Sequence, residues 1–197
     1  AECPVVSNNS ANRFTPDVPM VVPEINADHI EIIPAQRKRL GTKRGFIAVK
    51  SNCSLQSYVP ALHPLMKEFG VNKALVCTYQ AISGAGKTFD RMPVIVDNVI
   101  PYIGGEEEKS EREPLKLWGH IEGDQIVNAE KPTITAQCFR VPVSDGHTAA
   151  VFVSFDKKPT QEQMLEAWAN FRGPAQELNL PSAPKQFLHY FTEPDRP

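Results

Sequence analysis

The chain has 197 residues, of which 41% are hydrophobic and 22% charged, and its formal net charge is −2. This length and composition are typical of one globular domain with a sizeable core, and the near-neutral charge gives no reason to expect a nucleic-acid partner. No apolar run approaches the roughly 20 residues that a bilayer-spanning helix needs, so we also expect no membrane segment.

The predicted elements form an irregular mixture of strands and helices. Residues 1–36 are rich in Pro and Asn and weakly periodic, so we treat them as a leading segment with short strands, and residues 37–197 as the main domain. In chain order, the remaining predictions are strands at 45–50, 73–82, 133–143 and 148–156 and helices at 53–70, 106–121 and 160–171. The last two strands are joined by the short turn "SDGH", which predicts a direct antiparallel pair. The sum is an α+β fold, with a mixed, mostly antiparallel sheet and helices on one face.

The stretch "YQAISGAGKTFDRMPVIVDN" (79–98) looks like a nucleotide-binding P-loop followed by an acidic strand, but its spacing is wrong. A P-loop has glycine where this chain has Ala81, and a helix directly after its lysine. Here only residues 89–93 separate Thr88 from the strand-like "VIVD", and Pro93 would stop a helix. We therefore predict no ATP or GTP site. The glycines are interpreted as a tight bend or a close backbone approach to a ligand.

Four cysteines occur along the chain: Cys3, Cys53, Cys77 and Cys138. None is paired as C-x-x-C and no histidine stands at ligand spacing, so we predict neither a disulfide framework nor a metal site. This usage is typical of a reducing, cytoplasmic setting. Cys77 and Cys138 lie within predicted apolar strands, which favours the core for both.

The motif "SNCS" places Cys53 where a strand ends and a helix begins. Ser51 and Asn52 are good N-cap residues, and backbone N–H groups together with the helix dipole would favour thiolate over thiol at Cys53. A thiolate attacks carbonyl carbons, whereas the alternative is a cysteine that merely packs as a small hydrophobic residue. His147 in "SDGHT" is the candidate acid–base partner, because a turn can project a side chain into a cleft. The alternative for His147 is a simply exposed turn residue.

Five separated motifs together resemble one known family. "SNCSLQ", "YQAISGAG", "DNVIPYIGGEEEK", "EPLK" and "CFRVPVSDGH" are similar, in this order, to aspartate-semialdehyde dehydrogenase, and the wording is closest to its fungal and archaeal branch. The resemblance runs over nearly the whole chain. It implies a domain like the C-terminal domain of the glyceraldehyde-3-phosphate dehydrogenase-like enzymes.

The resemblance implies roles for the residues nearest to the chemistry. Cys53 would be the nucleophile, Gln80 would orient the substrate at its thiol, and His147 would be the general acid and base. Ser83 and Gly84 would lie against the nicotinamide of the coenzyme.

The resemblance also implies residues that hold the ends of the substrate. Arg140 would grip its carboxylate, which suits a guanidinium, and Glu113 in "EPLK" would meet its amino group. Lys116, one helical turn further on and therefore on the same face, would help to hold phosphate, as would Asn52.

The implied reaction is reversible and uses NADP. L-Aspartate 4-semialdehyde, phosphate and NADP would become L-4-aspartyl phosphate and NADPH through a thiohemiacetal and a thioester on Cys53. This step supports the synthesis of threonine, methionine, isoleucine and lysine. A homo-oligomer, dimer or tetramer, is expected.

The family's glycine-rich dinucleotide-binding fingerprint is absent from this sequence. The resemblance therefore implies a catalytic and dimerisation domain whose start, "AECPVVSNNSANR", corresponds to the end of a coenzyme domain. We expect this polypeptide by itself to bind NADP poorly and to turn over little.

Two other interpretations stay open. N-acetyl-glutamyl-phosphate reductase also resembles a Cys–His phosphorylating dehydrogenase with an "SGAG" segment, although "YQAISG" and "EPLK" favour the aspartate enzyme. Glyceraldehyde-3-phosphate dehydrogenase is disfavoured by the context "SNCSL". The other open interpretation is of a different class: the chain would be a self-associating module whose site is idle. It rests on the expectation that an exposed apolar sheet face must be covered by something.

Overall fold

The computed structural model describes residues 2–195. The strands are β1 (Pro4–Ser7), β2 (Phe46–Val49), β3 (Val71–Gln80), β4 (His120–Glu122), β5 (Gln125–Val127), β6 (Thr133–Arg140) and β7 (His147–Phe155). The α-helices are α1 (Pro23–Asn26), α2 (Ile33–Leu40), α3 (Val59–Phe69), α4 (Glu106–Leu117), α5 (Gln161–Asn170) and α6 (Pro174–Glu177). Over the described part of the chain, no helix is long and apolar enough to cross a membrane.

The central sheet has the order β6-β3-β7, with β3 in the middle. β3 pairs with β6 in parallel and with β7 antiparallel, so the predicted α+β fold with a mixed sheet is confirmed, and one of its two pairings is antiparallel. The prediction that β6 and β7 pair directly is wrong, because β3 lies between them. The "SDGH" turn instead crosses the end of β3, which brings three strand ends together.

Two further predicted elements need correction. The strand-like "PVIVD" forms only a 3₁₀ turn, Pro93–Ile95, which agrees with a proline that fixes its own φ and lacks an N–H for a strand ladder. The helix expected to reach residue 121 ends at Leu117, and the chain turns into the β4–β5 hairpin. Gly119 permits this turn, since a Cβ there would collide with the Val127 carbonyl.

The core lies between the sheet and α3. β3 alternates, with Ala74 and Val76 buried on the helix side, as expected for a period of two. The leading segment contributes to the same core through residues such as Met20. The boundary predicted between residues 36 and 37 lies within α2, and residues from both sides of it pack in this core.

Helix α4 lies along the outer edge of β6 and binds its free main-chain N–H groups. Glu111 accepts a hydrogen bond from Ala136 N at 3.1 Å, and Glu107 accepts one from Cys138 N at 3.4 Å. The backbone of Ile100 then exchanges two hydrogen bonds with Arg140. Unpaired strand edges promote association with other strands, and this edge is closed by side chains and a loop.

The face of the central sheet that points away from α3 is exposed and apolar. Leu75, Tyr79 and Phe152 are 47%, 41% and 70% exposed, and the Tyr79 ring stacks on that of Phe139 with centroids 6.0 Å apart. Cys77, expected in the core, is half-buried on this face, because it shares the parity of Leu75 and Tyr79. Cys138 is buried, as predicted.

His63 in α3 is a polar side chain in an apolar place. Among the described residues, both of its ring nitrogens are buried without a hydrogen-bond partner, and the ring packs edge-on against Phe171 beside a cavity of about 270 Å³. Burial, together with the nearby charge of Lys67, lowers the pKa of His63 to about 4.

We expect His63→Phe to stabilise the protein and to make its free energy of unfolding less dependent on pH in the acid range. The unfolded chain protonates this histidine near pH 6.5, the folded chain only near pH 4, so stability is lost as the pH falls through this window. Removing the unpaired buried group is worth about 1–3 kcal/mol. Urea unfolding between pH 4 and 7 measures both effects, with the exposed His120→Phe as the control. An unchanged pH dependence in His63→Phe would contradict the prediction.

Candidate active site

Three predicted site residues lie side by side across the ends of three strands. In the sheet register, Gln80 at the end of β3 is opposite Arg140 of β6 and opposite His147 of β7. Residues that share a register position project from the same face. Gln80, Arg140 and His147 therefore face the side of the sheet that carries the helices. Their distances along the sequence do not predict that they lie side by side.

Cys53 lies in the turn that follows β2. Asn52 caps this turn, because its Oδ1 atom accepts a hydrogen bond from Ser54 N at 2.9 Å, which confirms it as an N-cap residue. The turn is a 3₁₀ helix, Cys53–Ser57, and α3 begins only at Val59. The predicted α-helix N-terminus at Cys53 is therefore wrong, and the helix dipole does not act on this thiol as expected. Cys53 is exposed and free.

A cavity of about 470 Å³ brings the predicted nucleophile and the predicted acid–base residue together. Its lining consists of Cys53, Gln56, Ser57, Ser83, Gly84, Gly146 and His147. The predicted coenzyme contacts, Ser83 and Gly84, therefore lie in the same wall as His147. Gly84 lies close behind the site residues, since a Cβ there would be 2.9 Å from an Arg140 Nη1 atom and 3.1 Å from the His147 ring.

The imidazole of His147 is held by main-chain groups on its Nδ1 side. Ala81 N donates to Nδ1 at 3.1 Å, and the Gly146 carbonyl oxygen is 2.7 Å from the same atom. The first contact suits the tautomer with its proton on Nε2, and the second suits the tautomer with its proton on Nδ1. An imidazole that takes a proton at Nε2 carries its other proton on Nδ1, so the contact with the Gly146 carbonyl oxygen suits a general base.

Glu106, which the sequence prediction missed, connects the other side chains of the site. Its carboxylate accepts hydrogen bonds from Asn52 Nδ2 at 2.9 Å, Gln80 Nε2 at 3.2 Å and Lys109 Nζ at 2.8 Å. Burial acts to raise the pKa of Glu106, but the hydrogen bonds from Lys109, Asn52 and Gln80 outweigh it and lower the pKa. The group is therefore an anion at neutral pH. The signal available in the sequence was the E-x-x-K spacing in "GGEEEK".

Glu113 and Lys116 lie deeper, and the structure does not bring them to the cavity. Glu113 is fully buried and paired with Arg13 at 2.9 Å. Lys116 is 2% exposed, and its Nζ donates to the carbonyls of Arg13, Thr15 and Val18 at 2.7–2.9 Å. All three donors of an ammonium are used in this way, and burial lowers the pKa of Lys116 to about 8. These contacts do not support the predicted roles of Lys116 in phosphate binding and of Glu113 at the substrate amino group.

The glycine turn that looks like a P-loop is now explained. After β3 the chain forms a 3₁₀ turn, Ile82–Ala85, and Gly86 adopts a left-handed conformation with φ of 63°. The next α-helix begins only at Glu106, so the phosphate-holding helix N-terminus of a P-loop is absent from the described chain after Lys87. The turn therefore does not have P-loop geometry. Over residues 2–195, no group of three or more His, Cys, Asp and Glu side chains is placed to hold a metal ion.

A family model and several known proteins are similar to this chain. A family model described as "Semialdehyde dehydrogenase, dimerisation domain" matches residues 62–197. Aspartate-semialdehyde dehydrogenase of Aspergillus fumigatus is 43% identical over 202 residues, covering 100% of this chain and 56% of that protein. The enzyme of Archaeoglobus fulgidus is also 43% identical, over 98% of this chain and 54% of that protein.

A solved structure is similar over the same extent. The crystal structure of aspartate semialdehyde dehydrogenase with NADP from Candida albicans has a TM-score of 0.85 and 37% identity, covering 98% of this chain and 56% of that chain. This chain therefore spans about half the length of the relatives it matches.

We expect Gly84→Ala to disturb the site without unfolding the protein. The new Cβ would press on the ends of two flexible side chains, Arg140 and His147, so the free energy of unfolding should change by less than about 1 kcal/mol, whereas the His147 ring should shift. Histidine ring resonances in NMR spectra and a urea titration measure the two effects. Gly104→Ala is the control, since no atom lies within 4 Å of its Cβ position. Unmoved His147 resonances in Gly84→Ala would count against the described packing.

Proposed function

Because this chain belongs to the semialdehyde dehydrogenase family through its dimerisation domain, we propose that it is the catalytic and dimerisation part of an NADP-dependent aspartate-semialdehyde dehydrogenase. The proposed reaction converts L-aspartate 4-semialdehyde and phosphate reversibly to L-4-aspartyl phosphate. The observation that supports it most is the cavity that Cys53 and His147 line together, with Arg140 close behind Gly84 in its wall. The free cysteines suit a reducing compartment such as the cytoplasm.

The chemistry at the thiol follows from the cavity wall. The Cys53 sulfur adds to the aldehyde carbon, while His147 takes the thiol proton and gives one to the carbonyl oxygen, so that a thiohemiacetal forms. His147 would take the hydroxyl proton of this adduct as its hydride passes to NADP, when bound, which leaves a thioester on Cys53; the same proton later returns from His147 to the departing thiolate. Ser83 and Gly84 suit the nicotinamide, since Gly84 has no side chain and Ser83 lies in the wall beside it. Phosphate then attacks the thioester carbon, and the Cys53 thiolate leaves and is reprotonated.

The charged groups suit the two ends of a short amino acid. The Arg140 guanidinium, already held by the Ala81 carbonyl at 2.7 Å, is assigned to the substrate carboxylate. The Glu106 anion is assigned to the substrate ammonium group, and Lys109 beside it to phosphate. Gln80 and Asn52 act through Glu106, because their side-chain amides are already hydrogen-bonded to it.

Protection of Cys53 from alkylation tests the proposed substrate without requiring coenzyme. We expect L-aspartate 4-semialdehyde to slow the modification of Cys53 by iodoacetamide, because the thiol is engaged as a thiohemiacetal. The labelled peptide is quantified by mass spectrometry, and the exposed Cys3 reports reagent reactivity in the same sample.

Two comparisons sharpen this test. Arg140→Met should abolish most of the protection, while N-acetyl-glutamate 5-semialdehyde and glyceraldehyde 3-phosphate should protect weakly. Stronger protection by either alternative aldehyde would replace the proposed substrate. Equal labelling of Cys53 with and without every aldehyde would refute the proposed function.

The open face of the sheet supports a second part of the proposal, that the partner is another copy of this chain. Leu75, Tyr79 and Phe152 are large and exposed on this face, and contiguous exposed apolar surface marks contact sites. The matched family is itself described as a dimerisation domain.

We expect Phe152→Glu to convert the assembled protein to monomers, because a charge without a partner is costly at the centre of an apolar interface. Sedimentation at several protein concentrations measures the mass. Val6→Glu is the control, as an equally apolar and exposed residue of β1 outside the central sheet. A wild-type protein that sediments as a monomer at all concentrations would contradict this part of the proposal.

A further inference from the structure

A buried ion pair lies directly beneath the segment that precedes Cys53. Arg13 Nη1 contacts Glu113 Oε1 at 2.9 Å, and their side chains are 7% and 0% exposed. A buried ion pair is weak evidence for stability, because the desolvation of both charges opposes their attraction. The role of this ion pair is therefore inferred from the main-chain groups that it binds.

The pair holds two main-chain groups on either side of Ser51. Arg13 Nε donates to the carbonyl of Lys50 at 2.9 Å. Glu113 Oε2 accepts the N–H of Asn52 at 2.6 Å. The chain between the end of β2 and Cys53 is thus fixed at two successive positions by one ion pair.

The side chain of Asn52 extends this restraint to Ser54 and Glu106. Its Oδ1 atom accepts from the N–H and hydroxyl of Ser54, and its Nδ2 atom donates to both carboxylate oxygens of Glu106. Asn52 makes these contacts together only while its backbone keeps one position. The position of Cys53 and the orientation of the Glu106 anion therefore depend on the same peptide group.

Arg13 is itself anchored on several sides. Its Nη2 atom donates to the carbonyl of Asn8 at 3.0 Å, and its own carbonyl accepts from Lys116 Nζ at 2.8 Å. A guanidinium suits this arrangement because its donors form a rigid fork, whereas an ammonium cannot reach three groups spread in this way.

We propose that Arg13 and Glu113 are positioning residues, which hold residues 50–52 so that Cys53 faces the cavity and Asn52 orients Glu106. The inference rests on the proposed role of Cys53 as the nucleophile. It does not require either residue to touch substrate, and both are buried away from the cavity.

The rate of Cys53 alkylation against pH tests the proposal in the folded chain. Glu113→Gln and Arg13→Met should each slow the reaction of Cys53 with iodoacetamide on the order of tenfold, since a misplaced reactive group can lose up to about 100-fold in rate. The rate at Cys3 in the same samples should not change. Glu108→Gln is the matched control, because Glu108 lies on the same helix in an exposed pair with Arg112.

Two further variants separate positioning from a merely structural role. Arg13→Lys keeps the charge but not the fork, so it should retain the fold and still slow Cys53. The double variant Arg13→Met/Glu113→Gln should lose no more rate than either single variant, because the two residues act as one unit.

The outcomes divide clearly. A lower midpoint of urea unfolding with an unchanged Cys53 rate in Arg13→Lys would overturn the proposal and leave a structural ion pair. A slowed Cys53 in these variants, in a protein that no aldehyde protects, would support positioning while refuting the proposed substrate.

Discussion

The register of one strand is the constraint on which this structure depends. β3 is paired on both sides, and its last residue, Gln80, lies opposite Arg140 and His147 at once. A slip of one residue in either pairing would turn that neighbour's side chain to the open face. The apolar alternation of β3, which buries Ala74 and Val76, therefore fixes the chemistry as well as the core, since the same parity governs both.

Helix α4 divides its polar residues between chemistry and architecture. Two E-x-x-K pairs, Glu106 with Lys109 and Glu113 with Lys116, are seven residues apart and so lie on the same face of the helix. The first pair borders the strand ends and is partly exposed, while the second is enclosed by the leading segment. Glu106 and Lys109 therefore remain accessible to a ligand, whereas Glu113 and Lys116 already have hydrogen-bond partners inside the protein.

The sequence predicted what local rules govern and missed what distant packing decides. The P-loop pattern fails on the spacing of a few neighbouring residues, and the N-cap role of Asn52 is equally local; both predictions agree with the structure. The sequence alone does not favour either E-x-x-K pair for the site, because the spacing within both pairs is identical and only burial separates them. The direct pairing of β6 with β7 failed for a related reason, since no local signal announces that an earlier strand inserts between two strands joined by a short turn.

The contact between α4 and the edge of β6 has a geometric consequence. Four residues of an α-helix advance about 6 Å, and two residues of a strand advance about 6.6 Å. Glu107 and Glu111 can therefore act as a substitute strand for Cys138 and Ala136, but the two repeats drift apart by about 0.6 Å at each step. A helix can imitate a neighbouring strand only briefly before the mismatch accumulates. Here the helix provides two contacts, and at Arg140 a true backbone segment at Ile100 takes over.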